Sequence, residues 1–414
     1  MDIVVIGGGA AGMMAALFAA REGASVTLLE HNEKLGKKLY ITGKGRCNLT
    51  NDCDLDAFLA QVPRNPRFLY SALTFFSPQD MMRLLEGAGC PVVTERGQRV
   101  FPASQKASDV TRALFSLLRQ ENVRVLLEAN AWSLSREDDH VVGVQLTDGR
   151  LLPADAVILA TGGLSYPSTG STGDGYRLAA ALGHTIVPTG PTLVGLETVE
   201  DWPTTLQGLS LKNVTLTLFR GKKILYQELG EMLFTHFGIS GPLALEASCH
   251  LPPPPEGAVL ALDLKPGLTR EQLDARLRRD FLEEGKKQLA NVLPGLLPAR
   301  LAALFPRLAD LPPSLPCNQV TAAQRERLLT TLKALPLTVK APRPLNEAIV
   351  TRGGVSVREI DPGSMRSKRI QNLYFAGEIM DVDAHTGGYN LQIAWATGAL
   401  AGKRAASALK EASL

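Results

Sequence analysis

The chain has 414 residues, 45% of them hydrophobic and 21% charged, enough to bury two or three domain cores and too much for one small binding module. Its 44 Lys and Arg face 41 Asp and Glu, spread without a long basic run, so the net +3 does not make nucleic acid the expected partner and no dedicated nucleic-acid module is read.

At the N-terminus no positively charged segment precedes the first apolar run, so a secretory signal is not expected. Residues 2–6 predict a short buried strand, Gly7, Gly8 and Gly9 a turn, and residues 10–21 a helix. A second strand over 25–29 ends at Glu30, completing a β-turn-α-β unit. Residues 70–87 have helical spacing that Pro78 breaks or restarts, and 109–120 predict a further helix before a strand at 123–127. A hairpin follows, with 141–146 and 151–152 flanking Asp148-Gly149, a pair suited to positive φ. The strand 156–160 ends at Thr161-Gly162-Gly163 and returns the chain to its first sheet.

From about Pro188 the pattern turns β-rich, with strands at 214–219 and 259–264, and then helical over 269–289, 299–308 (interrupted at Pro306) and 321–332. The expected division is therefore 1–188 with 341–414, a β-rich insertion 189–266 and a helical insertion 267–340. Near the end a strand at 373–376 precedes Gly377-Glu378, and Gly387-Gly388-Tyr389-Asn390 opens a helix over 391–406. Recurrence of strand-turn-helix logic here predicts one nucleotide domain built from both chain ends. Every apolar stretch breaks short of the about 18 residues that a membrane span needs.

Gly7, Gly9 and Gly12 form G-x-G-x-x-G between a predicted strand and helix, with Ala10 and Ala11 between the last two glycines. Gly7 makes the tight turn, Gly9 lets the main chain approach a pyrophosphate, and Gly12 lets helix and sheet pack closely. The helix N-terminus offers unpaired N–H groups to phosphate, and Glu30 can accept bonds from ribose hydroxyls. A dinucleotide is the expected ligand, and the carboxylate at Glu30 disfavours a 2′-phosphate there. The glycine motif alone does not separate NAD from FAD. The loop 36–51, carrying Lys37, Lys38, Gly43, Lys44, Gly45, Arg46, Cys47 and Asn48, tilts the choice to FAD, because flexible backbone, cations and amides can follow an extended cofactor towards its ring.

These motifs resemble the BaiN-type, YhiN-like family of NAD(P)/FAD-dependent oxidoreductases over essentially the full chain. The resemblance rests on residues 7–12, the block 43–51, Ala160-Thr161-Gly162-Gly163, residues 166–175, 234–242 and 353–355, and above all 376–381 with 387–390. It implies an α/β, Rossmann-like FAD-binding domain of glutathione-reductase type with an inserted β-barrel-like plus helical region. It carries Arg46-Cys47-Asn48 and Gly377-Glu378 over as cofactor contacts and places residues 387–391, including Leu391, beside the flavin ring. Family members are assigned reactions as different as reduction of conjugated 3-oxo bile-acid intermediates and oxidation of aminoacetone. At Ala384-His385 the chain departs from many relatives, which have Gly and a variable residue there.

For chemistry, FAD supplies the redox step and NAD(P)H is a transient donor; no second G-x-G-x-x-G provides a dedicated nicotinamide domain. Gly387-Gly388 before a helix is expected to offer N–H groups to the reduced ring. Glu378 is expected to bond the ribityl or phosphate region, with a salt bridge as the rival role. The five cysteines are irregularly spaced, which excludes a disulfide framework and fits a reducing, cytoplasmic setting; Cys47 lacks a C-x-x-C partner and is expected to pack rather than react. His236, His385 and Tyr389 are the candidates for proton handling. No cluster supports a metal site. Arg352, Arg358, Arg366 and Arg369 are candidates for an anionic substrate or NAD(P)H. The expected activity is reduction of a small conjugated carbonyl compound, with an amine oxidase or a flavin-containing RNA-associated assembly protein as alternatives. The pattern specifies no oligomeric state.

Overall fold

A computed structural model describes residues 1–412, which form two compact units, 1–192 with 344–412 and Leu193–Arg343. In the first unit the strand Asp2–Ile6 lies at the centre of a five-stranded parallel sheet, between Ser25–Leu29 and Ala156–Leu159. Arg124–Leu126 and Leu373–Phe375 form the two edges. Ile3, Val5, Leu28, Val157 and Ile158 are buried, as expected for parallel strands covered on both faces. Each fully buried aliphatic side chain contributes about 1.5–3 kcal/mol.

The strand Leu373–Phe375 shows that the sheet begun at Asp2 is completed near the other chain end. Two helices reinforce that closure. Ala10–Arg21 packs against the C-terminal helix Tyr389–Ala412 so closely that a Cβ on Gly398 or Gly402 would lie 2.2 or 2.1 Å from the carbonyl oxygens of Ala11 and Ala15. The C-terminal helix is longer at both ends than the expected 391–406.

Pro78 starts a new helix, Pro78–Gly87, behind a Ser77–Asp80 capping box, while Tyr70–Phe75 is separate. The Asp148-Gly149 turn joins His140–Leu146 to Leu151–Pro153, and a strand not expected, Ala131–Glu137, adds a third member. Ile186–Thr192 pairs antiparallel with Val350–Val355, with Thr192 opposite Val350.

In the second unit six strands close a barrel: Leu196–Thr198, Gly238–Ser240, Lys223–Phe234, Ser210–Arg220, Ala258–Asp263 and Leu335–Pro342. The helices Arg270–Glu283, Ala299–Leu308 and Ala322–Lys333 lie in sequence between the last two of these strands. Leu216, Leu260 and Leu337 of the barrel share one buried cluster with Leu273, Leu277 and Leu328 of the helices. The expected separate segments 189–266 and 267–340 are thus one unit, and Pro336 and Pro342 had hidden the closing strand's alternation. The predicted helix 269–289 stops at Glu283, and Pro306 sits in the last turn of its helix without ending it.

Candidate cofactor and active site

The turn from the first strand into the first helix is set by three glycines with different surroundings. Gly7 has φ +107°, and a Cβ there would strike the Ala160 carbonyl oxygen at 2.4 Å. On Gly12 a Cβ would lie 1.7 Å from Gly7 O, so only glycine lets the helix start against this strand. Above Gly9 nothing lies within 4 Å of the corresponding position. The first helical bond runs from Met13 N to Gly9 O at 3.0 Å, and no side chain caps this end. The N–H groups of Ala10, Ala11 and Gly12 therefore bound an open cradle suited to an anion.

Glu30 is buried with both carboxylate oxygens engaged. Oε2 accepts from Gly8 N at 2.9 Å, and Oε1 accepts from Asn32 N at 2.8 Å and Asn32 Nδ2 at 2.7 Å. Asn32, not anticipated from sequence, also donates to Thr169 O at 3.1 Å and so ties the loop around Thr169 to this end. Its position two residues past the acid was the available signal.

The loop after Glu30 bends through Gly43, Lys44, Gly45 and Cys47, all at positive φ. A Cβ on Gly45 would meet only Tyr40 O, at 3.9 Å. Arg46 faces its own protein: its guanidinium lies 4.0 Å over the Phe101 ring and donates to Glu95 at 3.0 Å and Gln105 at 2.8 Å. Burial pushes the Cys47 thiol up to about 12, which keeps it protonated and a poor nucleophile. The amide of Asn48, oriented to satisfy both neighbours, donates to Thr50 O at 3.3 Å and accepts from Gly388 N at 3.1 Å.

That last bond corrects the expected role of Gly388: its N–H is taken by Asn48, and a Cβ there would strike Thr50 O at 2.3 Å. Gly388 seats the last helix on the strand Thr50–Asn51. Asn51 donates to Gly97 O at 3.0 Å and to Gly387 O at 3.1 Å, while its buried Oδ1 has no partner. A buried acceptor left this way fits a missing donor such as a cofactor imide N–H. Thr161 Oγ1, between Ala160 and Gly162, is likewise buried without a partner.

Gly377, at φ +77°, donates its N–H to Thr397 Oγ1 at 3.0 Å and lies against Ala11. Glu378 is a hub: Oε1 accepts from Ser165 Oγ at 2.9 Å and Thr351 N at 2.8 Å, and Oε2 accepts from Lys38 Nζ at 2.7 Å. Lys38 also donates to Ser165 Oγ at 2.6 Å. Burial alone would push the Glu378 carboxyl up, but Lys38 and the two other donors hold it below its ordinary value. The rival salt-bridge role is present in the geometry, and Ser165 and Thr351 join it from segments that sequence patterns did not connect.

Tyr389 and His385 sit in unit one. Tyr389 meets Phe58 edge-on at 5.1 Å. His385 is buried, with Nδ1 3.2 Å from Gln61 Oε1; burial, then the nearby Arg64 cation, lowers its pKa and keeps it neutral. The Asn390 side chain binds the backbone of this loop rather than projecting from it, accepting from Ala384 N at 2.9 Å and donating to Ala384 O at 2.7 Å. Leu391 packs against the hydrophobic core. Asp383, fully buried, pairs with Arg64 through Nε at 2.7 Å and through Nη2. His236 lies in the barrel unit, exposed, edge-on to Phe237 at 5.0 Å. Among the described residues, no group of three or more His, Cys, Asp or Glu is placed to hold a metal, and no helix is long and apolar enough to cross a membrane.

An open helix-terminus cradle, a buried carboxylate held by main-chain and amide donors and an orphan acceptor at Asn51 suit a dinucleotide cofactor, and the protein is an FAD-dependent oxidoreductase. The model of the HI0933-like protein Rossmann domain matches residues 1–404, and the chain belongs to this family, whose BaiN-type motifs it carries. It is 34% identical over 412 residues to the 3-dehydro-bile acid delta(4,6)-reductase of Clostridium scindens, covering 98% of each chain. It is 30% identical over 398 residues to the ribosomal RNA dihydrouridine synthase of Escherichia coli, covering 96% of each. Among solved structures it resembles the 3-ketosteroid delta1-dehydrogenase of Sterolibacterium denitrificans, with a TM-score of 0.51 over 98% of this chain and 99% of that one; at 15% identity this likeness concerns the fold alone.

Proposed function

We propose that the protein reduces a carbon–carbon double bond conjugated to a carbonyl group in a small organic molecule, drawing electrons from NAD(P)H. The observation that carries this reading is full-length similarity to two proteins whose names describe one kind of chemistry. One is a reductase of ring double bonds in a 3-dehydro bile acid, and the other forms dihydrouridine in ribosomal RNA. In both substrates the alkene is polarised by a conjugated carbonyl, so hydride addition at one carbon is completed by a proton at its neighbour.

Residues 7–12, Glu30 and the main chain at 43–48 and 387 would hold FAD, which when bound and reduced supplies the hydride. The protein's part is to hold the acceptor, exclude water and deliver the proton. Tyr389, the first residue of the C-terminal helix, and His385, in the loop that precedes it, are the groups assigned to proton handling. His236 keeps only the standing of a candidate on the barrel unit. A small substrate in the cytoplasm is the preferred reading because the charge is nearly balanced. A uracil base in RNA is the second reading, favoured by the dihydrouridine synthase relatives.

The test is anaerobic stopped-flow absorbance of the FAD-loaded protein with NADH, NADPH or a small amine. Bleaching by a nicotinamide, followed by recovery on adding a cyclic enone, is expected. Recovery only with uridine-containing RNA would select the second reading, and bleaching by the amine alone would overturn both.

A further inference from the structure

The segments 58–65 and 381–389 are joined along an antiparallel seam whose partners run in opposite numerical order. Asn65 Nδ2 donates to Asp381 O at 2.7 Å, Arg64 pairs with Asp383, Gln61 meets His385, and Phe58 meets Tyr389. The Gln61 contact is double. Its main-chain oxygen accepts from His385 N at 3.0 Å while its side-chain Oε1 faces His385 Nδ1 at 3.2 Å. From the other side, Asn390 Nδ2 donates to His385 O at 3.2 Å as well as to Ala384 O. The imidazole is thus gripped on its backbone from two directions and on one ring nitrogen by an amide oxygen.

We propose that Gln61 is a positioning residue for the proposed reduction: by accepting a hydrogen bond from Nδ1–H it fixes the tautomer of His385, leaving Nε2 as the acceptor nitrogen. This deepens the reading above and rests on it for its link to turnover. His385, neutral and with its Nδ1 proton directed to Gln61, keeps Nε2 unprotonated as the basic nitrogen of the ring.

The charges on this seam keep the arrangement from shifting with ordinary changes in pH. Arg64 lies beside His385 and opposes a second positive charge on the ring. Asp383, which would favour that charge, is already paired with Arg64, and Arg352 acts on the same carboxylate. Asp381 is the remaining carboxylate of the seam, and its Oδ2, at 3.3 Å, as well as its main-chain oxygen accepts from Asn65 Nδ2.

The experiment uses full-length, FAD-loaded protein with 15N-labelled histidine, with the His385 signals assigned by loss in His385→Asn. Wild type is expected to show a neutral ring with its proton on Nδ1 at pH 7. Gln61→Glu, which places a carboxylate on the same nitrogen, should convert the ring to imidazolium at that pH. Gln61→Met, which removes the acceptor, should yield the other tautomer or a mixture, with kcat lowered about tenfold through misalignment and FAD affinity unchanged. A proton on Nε2 in wild type, or a ring signal indifferent to both substitutions, overturns the proposal whatever the substrate proves to be. If the signals respond as expected while no conjugated carbonyl is turned over, the positioning stands and the assigned reaction falls.

Discussion

Glu378 shows how one side chain can serve both the cofactor domain's assembly and its response to pH. Its carboxylate takes donors from Lys38, Ser165 and Thr351, so charge at this position is supported by three separate segments. A carboxyl held below its ordinary 4.5 stabilises the folded state fully above that value, and the contribution is lost as pH falls through the lower folded value. With about a fifth of the side chain exposed, screening limits the effect. Glu378→Gln should therefore cost roughly 1–2 kcal/mol at pH 7. Its penalty should shrink as the pH falls below the ordinary 4.5 and vanish only once the pH has passed through the lower folded value, where the parent's carboxyl is itself protonated. Urea unfolding midpoints of parent and variant at pH 7 and pH 3.5 check this; a difference that is the same at both values would show that the charge contributes nothing.

At the scale of elements, the meeting of the first and last helices is what makes a split domain behave as one. Gly398 and Gly402 fall one turn apart on the face that meets Ala11 and Ala15, and their missing side chains let the two backbones touch. Gly402→Ala puts a methyl 2.1 Å from a carbonyl oxygen that belongs to a helix and cannot swing aside. Separation of the helices should cost about 1–3 kcal/mol. It should also weaken FAD retention, because Ala11 lies in the first turn of its helix, at the open cradle, and beside Gly377. Thermal unfolding with flavin fluorescence as the probe checks both effects; release of FAD at the parent's temperature would refute the second. This pairing was only half legible in sequence. The glycine fingerprint and Glu30 announced the first helix, because turn, phosphate approach and ribose contact each require a particular residue type. The glycines in the last helix are indistinguishable by pattern from ordinary helix interruptions, and only the partner's backbone explains them. The same limit applies to Arg46 and Asn390, whose residue types suit a cofactor but whose hydrogen bonds go to Glu95, Gln105 and the 384–385 backbone. Asn32, Gln61 and Arg64 went unread because their importance comes from neighbours distant in sequence.

For the whole molecule, the two units have separate cores, and the first carries every residue of the glycine motif, Glu30, the 43–48 loop and the 377–390 segment. The chain leaves this unit after Thr192 and re-enters it at Pro344, and Thr192 is the direct cross-strand partner of Val350. Partners in an antiparallel ladder have Cα atoms about 5 Å apart, and Pro344 lies six residues before Val350, at most about 20 Å of extended chain, so the two cut ends lie within reach of a short connection. Replacing residues 193–343 by a Gly-Ser linker of about six residues spans that gap without strain. The shortened protein should fold and purify yellow, with one FAD per chain measured by absorbance after denaturation, because the sheet, both helices and the orphan acceptor at Asn51 all remain. A soluble but colourless product that takes up no added FAD would show that the barrel unit is required to hold the cofactor, and the assignment of the whole binding function to the two chain ends would fail.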